Sequence, residues 1–201
     1  MEQQRSPVAK LREISSKLGK ETEKLALHVL DHPLFAVWSG SGLSFVHHYG
    51  RGQLAQHTLE VVELALLNNE YFKALGKGVR DDLLFLAALF HDVGKIRDYT
   101  PLPPDSSVSR DAYQEWVSTE SKSKIYHITH SALAWNEAFN EDGHHLSTEE
   151  KEEVLHAILA HHGRHEWKSP VEPKTRMAWL LHLSDNMSAR IDDCVKVRPK
   201  S

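Results

Sequence analysis

Eight consecutive apolar residues, Leu83 to Phe90, run without interruption into His91 and Asp92. A run of this length, closed at Gly94, predicts a helix buried on every side that ends on two polar groups. Polar groups buried without partners are costly, so whatever packs around this helix has to bring something for His91 and Asp92 to bind. Apolar spacing is helical elsewhere too, and no period-two strand with a hairpin turn stands out. The chain therefore reads as all-α, a single helical bundle. Its 201 residues, 40% of them hydrophobic, suffice for one core of this kind.

The helices can be placed in outline. A first one is expected over about 8 to 30, ended by Asp31-His32-Pro33, because proline disfavours helical geometry in the residue before it. The stretch 38 to 52 reads as a loop. From 53 to 69, Leu54, Val61, Ala65 and Leu66 recur at helical intervals, with His57 on the Leu54/Val61 side and hence facing inward. Three prolines and three serines within 100 to 112 mark an exposed excursion. A helix over 125 to 140 carries His127 and His130 near its start. Ser147-Thr148-Glu149-Glu150 is a capping box opening a helix that leads to His161 and His162. The last helix, about 174 to 194, sets Ala178, Leu181, Asp185 and Ser188 on one stripe. Residues 1–29 are expected to form a helical extension, 30–194 the functional domain, and 195–201 a basic tail.

Composition narrows the function. Fifteen histidines are scattered from His28 to His182, a surplus that favours metal binding or acid-base chemistry. The single cysteine, Cys194, excludes an internal disulfide and CxxC chemistry. With 24 Lys+Arg against 28 Asp+Glu the net charge is −4, which argues against wholesale electrostatic capture of duplex nucleic acid. No apolar run reaches the roughly 18 residues of a membrane span, and the start lacks a secretory signal. A cytoplasmic protein without a membrane partner is expected; the sequence is silent on oligomeric state.

His57, the His91-Asp92 pair and Asp185 are polar ligand-type residues delivered from three otherwise apolar helices. One cation would satisfy all of them. Two imidazoles and two carboxylates suit Mn, Fe, Co, Ni or Mg in near-octahedral geometry, with water completing the shell, better than the thiolate-rich tetrahedral sites of structural zinc.

The order His57, then FHDVGK, then Asp185 resembles the HD superfamily of metal-dependent phosphohydrolases. The stretches HHYGRGQLAQHTLEVV and ILAHHGRHEWKSPVEPKTRMAWLLHLSDNMSARID are similar to the HD domain of YhaM-type 3′-to-5′ exoribonucleases. A weaker likeness is to the HD region of some conjugative relaxases. The chain departs from the exonuclease pattern at Gln53 and Gln56, and Thr129-His130 stands where Gly-His is usual. The resemblance implies one or two divalent ions, Mn, Fe, Ni or Co ahead of Zn or Mg. His57, His91, Asp92 and Asp185 would hold the first. A second would be held by His130 and by His161 or His162, with Asp92 bridging. Lys95, the lysine of HDxGK, would meet a phosphate oxygen. Two cations bridged by a carboxylate suit phosphoester hydrolysis, with His162 or His165 a candidate to protonate the leaving oxygen.

The expected function is hydrolysis of a phosphomonoester or phosphodiester in a nucleotide or short single-stranded nucleic acid, with Asp92, Lys95 and His162 as catalytic residues. The exonucleases carry an OB-type domain ahead of the HD domain, which 29 residues would not build, so processive RNA degradation is not expected. Two other readings share the same ligands: a non-catalytic metal-binding module acting as a nucleic-acid or partner adaptor, and a di-iron oxygenase.

Overall fold

The run Leu83–Phe90 is buried throughout. It forms α4 (Asp81–Phe90), with Asp81 and Asp82 in the first turn, where the helix dipole favours acidic groups. The computed structural model of the chain describes residues 5–43, 46–103, 115–141 and 144–195. Around α4 pack α1 (Pro7–Leu18), α2 (Lys20–Leu30), α3 (Gln53–Ala74), α7 (His127–Asn140), α8 (Thr148–Ala160) and α9 (Arg176–Val195). A buried helix thus sits at the centre of a helical bundle, as its composition requires.

The single first helix expected over 8 to 30 is two helices. Gly19 separates α1 from α2 at φ +125°, a backbone conformation that L side chains rarely adopt. Leu11, Leu25, Ala26 and Val29 from this pair lie in the same core as α4, so α1 and α2 are packed into the bundle. The capping box at the start of α8 is present in both directions: Ser147 accepts from the Glu150 backbone, and Glu150 reaches back to the Ser147 backbone.

A short antiparallel ladder, absent from the sequence expectation, pairs β1 (Tyr99–Pro101) with β2 (Trp116–Ser118). It is held from outside by the Trp38 indole, whose Nε1 donates to the Tyr99 carbonyl at 3.1 Å and whose ring meets Trp116 edge-on at 4.9 Å. The one-turn helices α5 (Lys95–Asp98) and α6 (Glu120–Lys124) flank it, and a 3₁₀ turn covers His165–Trp167. The fold remains all-α in class. The excursion expected over 100 to 112 falls mostly on 104–114, outside the described residues, as do residues 196–201 of the tail. No helix among the described residues is long and apolar enough to cross a membrane.

Candidate metal centre

α4 ends at Phe90, so His91 and Asp92 leave the helix axis together at the bundle centre, 0% and 1% exposed. The following turn packs against the start of α7. A Cβ on Gly94 would stand 2.1 Å from the His127 carbonyl oxygen, so only glycine permits this approach, and the Gly94 N–H donates to Ser131 Oγ at 3.0 Å.

Two clusters of ligand atoms meet at Asp92. On the Oδ2 side, His57 Nε2 lies 3.2 Å and His91 Nε2 3.4 Å away, while Asp185 Oδ1 is 3.1 Å from His57 Nε2. On the Oδ1 side, His127 Nε2 stands at 3.3 Å and His161 Nε2 at 3.6 Å. His57, His91, Asp92 and Asp185 form one group able to hold a metal ion, and His127, His161 and His162 form another. Asp92 faces both with separate oxygens.

Each imidazole is tied by its other nitrogen. Nδ1 of His91 bonds the Ala88 carbonyl at 2.7 Å, and that of His161 bonds the Ile158 carbonyl at 2.7 Å. His162 Nδ1 bonds the Trp167 carbonyl at 2.7 Å, and His127 Nδ1 meets Asp98 Oδ2 at 3.1 Å. Carbonyl and carboxylate oxygens only accept, so these rings carry hydrogen on Nδ1 and aim the Nε2 lone pair inward, as metal ligands require. His57 is oriented by a relay: Ser188 Oγ donates to Glu60 Oε2 at 2.8 Å and accepts from His57 Nδ1 at 3.1 Å. His48 also meets Glu60, at 3.0 Å.

The donor set passes a test of fit. Asp92 Oδ1, His127 Nε2 and His161 Nε2 are buried without a hydrogen-bond partner, and they converge. Buried polar atoms are almost always satisfied, and a divalent cation would satisfy these three at once.

Electrostatics follow from the same contacts. Burial works against the charge on Asp92, but Lys95, with Nζ 2.6 Å from Oδ2, and the adjacent imidazoles hold it well below the usual carboxylate range. Lys95 is likewise buried, yet Asp92 keeps its ammonium above the ordinary lysine value. Burial lowers His127, and burial with His161 beside it lowers His162 to about 4, so both rings are neutral at pH 7. Burial also opposes charge on His57, but hydrogen bonds that it donates to Asp185 and Asp92 raise it to about 9. A proton and a cation therefore compete for the space between these carboxylates.

A cavity of about 300 Å³ opens onto the cluster, with Lys95, Tyr126, Trp167 and Arg190 among its lining residues. His130, the sequence candidate for a second-site ligand, is not there. Its Nε2 meets Ser121 Oγ at 2.9 Å, and it lines a separate depression with His32 and Arg97. His127, one turn earlier on α7, occupies the position instead. The other sequence candidates, His57, His91, Asp92, Lys95, His161, His162 and Asp185, converge. His182 is buried as well, and its Nδ1 meets the His161 carbonyl at 2.7 Å.

The HD domain family model matches residues 54–190. The chain belongs to the HD domain family. The matched segment of this HD domain contains both ligand clusters. Among curated proteins, the 3′-5′ exoribonuclease YhaM of Shouchella clausii is 32% identical over 152 residues, covering 73% of this chain and 40% of the relative. The YhaM of Bacillus subtilis is 28% identical over 146 residues, 73% of this chain and 41% of the relative. That of Bacillus velezensis is 27% identical over 169 residues, 84% and 46% respectively. The chain thus spans less than half the length of these relatives. No solved structure matches it at a significant level.

Proposed function

We propose that this HD domain is a metal-dependent phosphohydrolase that cleaves a phosphomonoester or phosphodiester bond in a nucleotide or short single-stranded nucleic acid. The observation that carries the reading is the bridging position of Asp92, whose two oxygens each face a separate imidazole cluster. The likeness to 3′-5′ exoribonucleases supports a nucleotide-containing substrate.

His57, His91, Asp92 and Asp185 would hold one ion and Asp92, His127, His161 and His162 a second, with Mn, Fe, Ni or Co favoured by the nitrogen-rich set. Such a pair supplies Lewis-acid charge to a phosphoryl group and acidifies water at neutral pH. The chain's own residues do the rest. Nδ1 contacts lock four imidazoles, and the Glu60–Ser188 relay locks the fifth. Lys95, held charged at the cavity wall, would meet a phosphate oxygen, and Arg190 adds a second cation among the lining residues. Tyr126, raised to about 12 by burial, stays protonated and can donate a hydrogen bond. His162 is neutral at pH 7, which suits a ligand better than a proton donor.

The test is hydrolysis of bis- and mono-nitrophenyl phosphate by metal-stripped protein resupplied with Mn, Ni, Co, Fe or Mg, alongside Asp92→Ala. Metal-dependent turnover lost in the variant is expected, and the diester-to-monoester ratio reports the substrate class. Full hydrolysis and full metal content in Asp92→Ala would sink the proposal. Tight metal uptake without turnover with any ion would favour an adaptor or an oxygen-activating centre.

A further inference from the structure

α9 has a second periodic row besides the one bearing Asp185. Trp179, Leu183, Met187 and Ile191 recur every fourth residue and are each between 44% and 60% exposed. Their spacing puts them on one ridge, turned about 160° from Asp185 at Leu183 and Met187. Beside it, α3 and its C-cap residue present Leu67, Tyr71 and Leu75, again four apart and 68%, 65% and 52% exposed. The two helices run antiparallel: the first half of α3 shares a groove with Ile191 and Asp192, the end of α3 shares another with Arg176 and Trp179, and Asn68 donates to Ser184 at 3.5 Å between them.

Together with Phe72, the exposed fractions amount to roughly 900 Å² of mostly apolar surface, above what monomers usually leave to water and close to one partner's share of a standard interface. The charges at its ends differ. One groove is lined by Glu60, Glu63 and Asp192, the other by Lys77, Lys174 and Arg176.

We propose that the α3/α9 face is the interface of a two-fold symmetric dimer of this chain. A two-fold axis lying in the plane of the face and running across the two helices, level with the Asn68–Ser184 contact, sets the apolar ridges of the two copies together. It also brings the acidic end of each copy onto the basic end of the other. A patch that is apolar in the middle and oppositely charged at its ends is complementary to itself in this arrangement, as an isologous interface must be. Because α9 carries Asp185 on its inner side, the dimer contact would brace the helix that completes the first ligand cluster.

Sedimentation velocity on the full chain, up to about 100 µM, reads the association directly. The expected result is a species of twice 22.9 kDa. Leu183→Glu/Met187→Glu, at exposed positions and with helicity checked by circular dichroism, should raise the dissociation constant by at least about 30-fold. Lys174→Glu/Arg176→Glu should weaken the dimer, and adding Glu63→Lys to the same chain should restore it, since each reversed end then meets its reversed counterpart. A monomeric wild type, or a dimer indifferent to the Leu183→Glu/Met187→Glu change, would overturn the proposal. Failure of Glu63→Lys to restore association would overturn the two-fold arrangement.

Discussion

Removing the hydroxyl of Ser188 tests whether the contacts behind the ligands set metal affinity. Ser188 is 3% exposed, and its Oγ is the link between Glu60 and His57. In Ser188→Ala, His57 Nδ1 keeps its hydrogen in a fully buried site with no acceptor, at a cost of about 1–3 kcal/mol, and the ring is no longer held in one tautomer. Losing such a supporting contact typically weakens metal binding by about 10–100-fold, equivalent to about 1.4–2.7 kcal/mol. Chelator-competition titration of the first Mn or Co equivalent should show this loss, whereas Ser188→Thr, which keeps a hydroxyl, should stay near wild type. Glu60→Gln should act through the same link. The double variant Glu60→Gln/Ser188→Ala should therefore cost little more than Ser188→Ala alone. Affinity within twofold of wild type in Ser188→Ala, or full additivity in the double variant, would refute the relay.

Two further outcomes separate the structure from plausible alternatives. His127→Ala should reduce bound metal toward one equivalent by elemental analysis, while His130→Ala, which removes only a contact to Ser121, should leave metal content unchanged. Burial opposes charge on Glu60, but hydrogen bonds from His48, Gln56 and Ser188 depress its pKa to about 2, below the ordinary value of 4.5. The stability this contributes is fully present above pH 4.5 and is lost as pH falls toward 2. Acid unfolding of metal-free protein should accordingly become shallower in that window in Glu60→Gln, as followed by circular dichroism.

Where a side chain's direction follows from helical phase, the sequence was enough. His57 shares its face with Leu54 and Val61, Asp185 shares its face with Leu181 and Ser188, and the run ahead of His91-Asp92 reads as a buried helix; all four meet in the structure. The choice between His127 and His130 was not accessible in this way. Both lie within one turn of the α7 start, and what selects His127 is tertiary: Tyr126 at φ +69° turns the chain, and Asp98 Oδ2 accepts from both the His127 N–H and its Nδ1. The short ladder was invisible because three residues per strand are too few for an alternating pattern, and its partner Trp38 lies 61 residues from Tyr99. The break at Gly19 was hidden because Leu11, Ile14, Leu18, Leu25 and Val29 keep helical spacing across it. Glu60, in turn, reads as an ordinary exposed helix glutamate until Ser188 is seen beside it.

The β1–β2 ladder has a consequence for how such a chain can vary. Leu102 N–H donates to the Glu115 carbonyl at 2.7 Å, so the intervening residues leave and return at adjacent points. The exit strand also begins at Tyr99, a residue of the cavity wall. For a flexible connection whose ends are held together, each doubling of length costs only about 0.6 kcal/mol of loop-closure entropy. Changes of length between the strands are therefore expected to be tolerated far better than the same changes within α4 or α9, which would rotate His91 and Asp92, or Asp185, out of phase. All seven clustered ligand residues lie outside the stretch that joins the two strands.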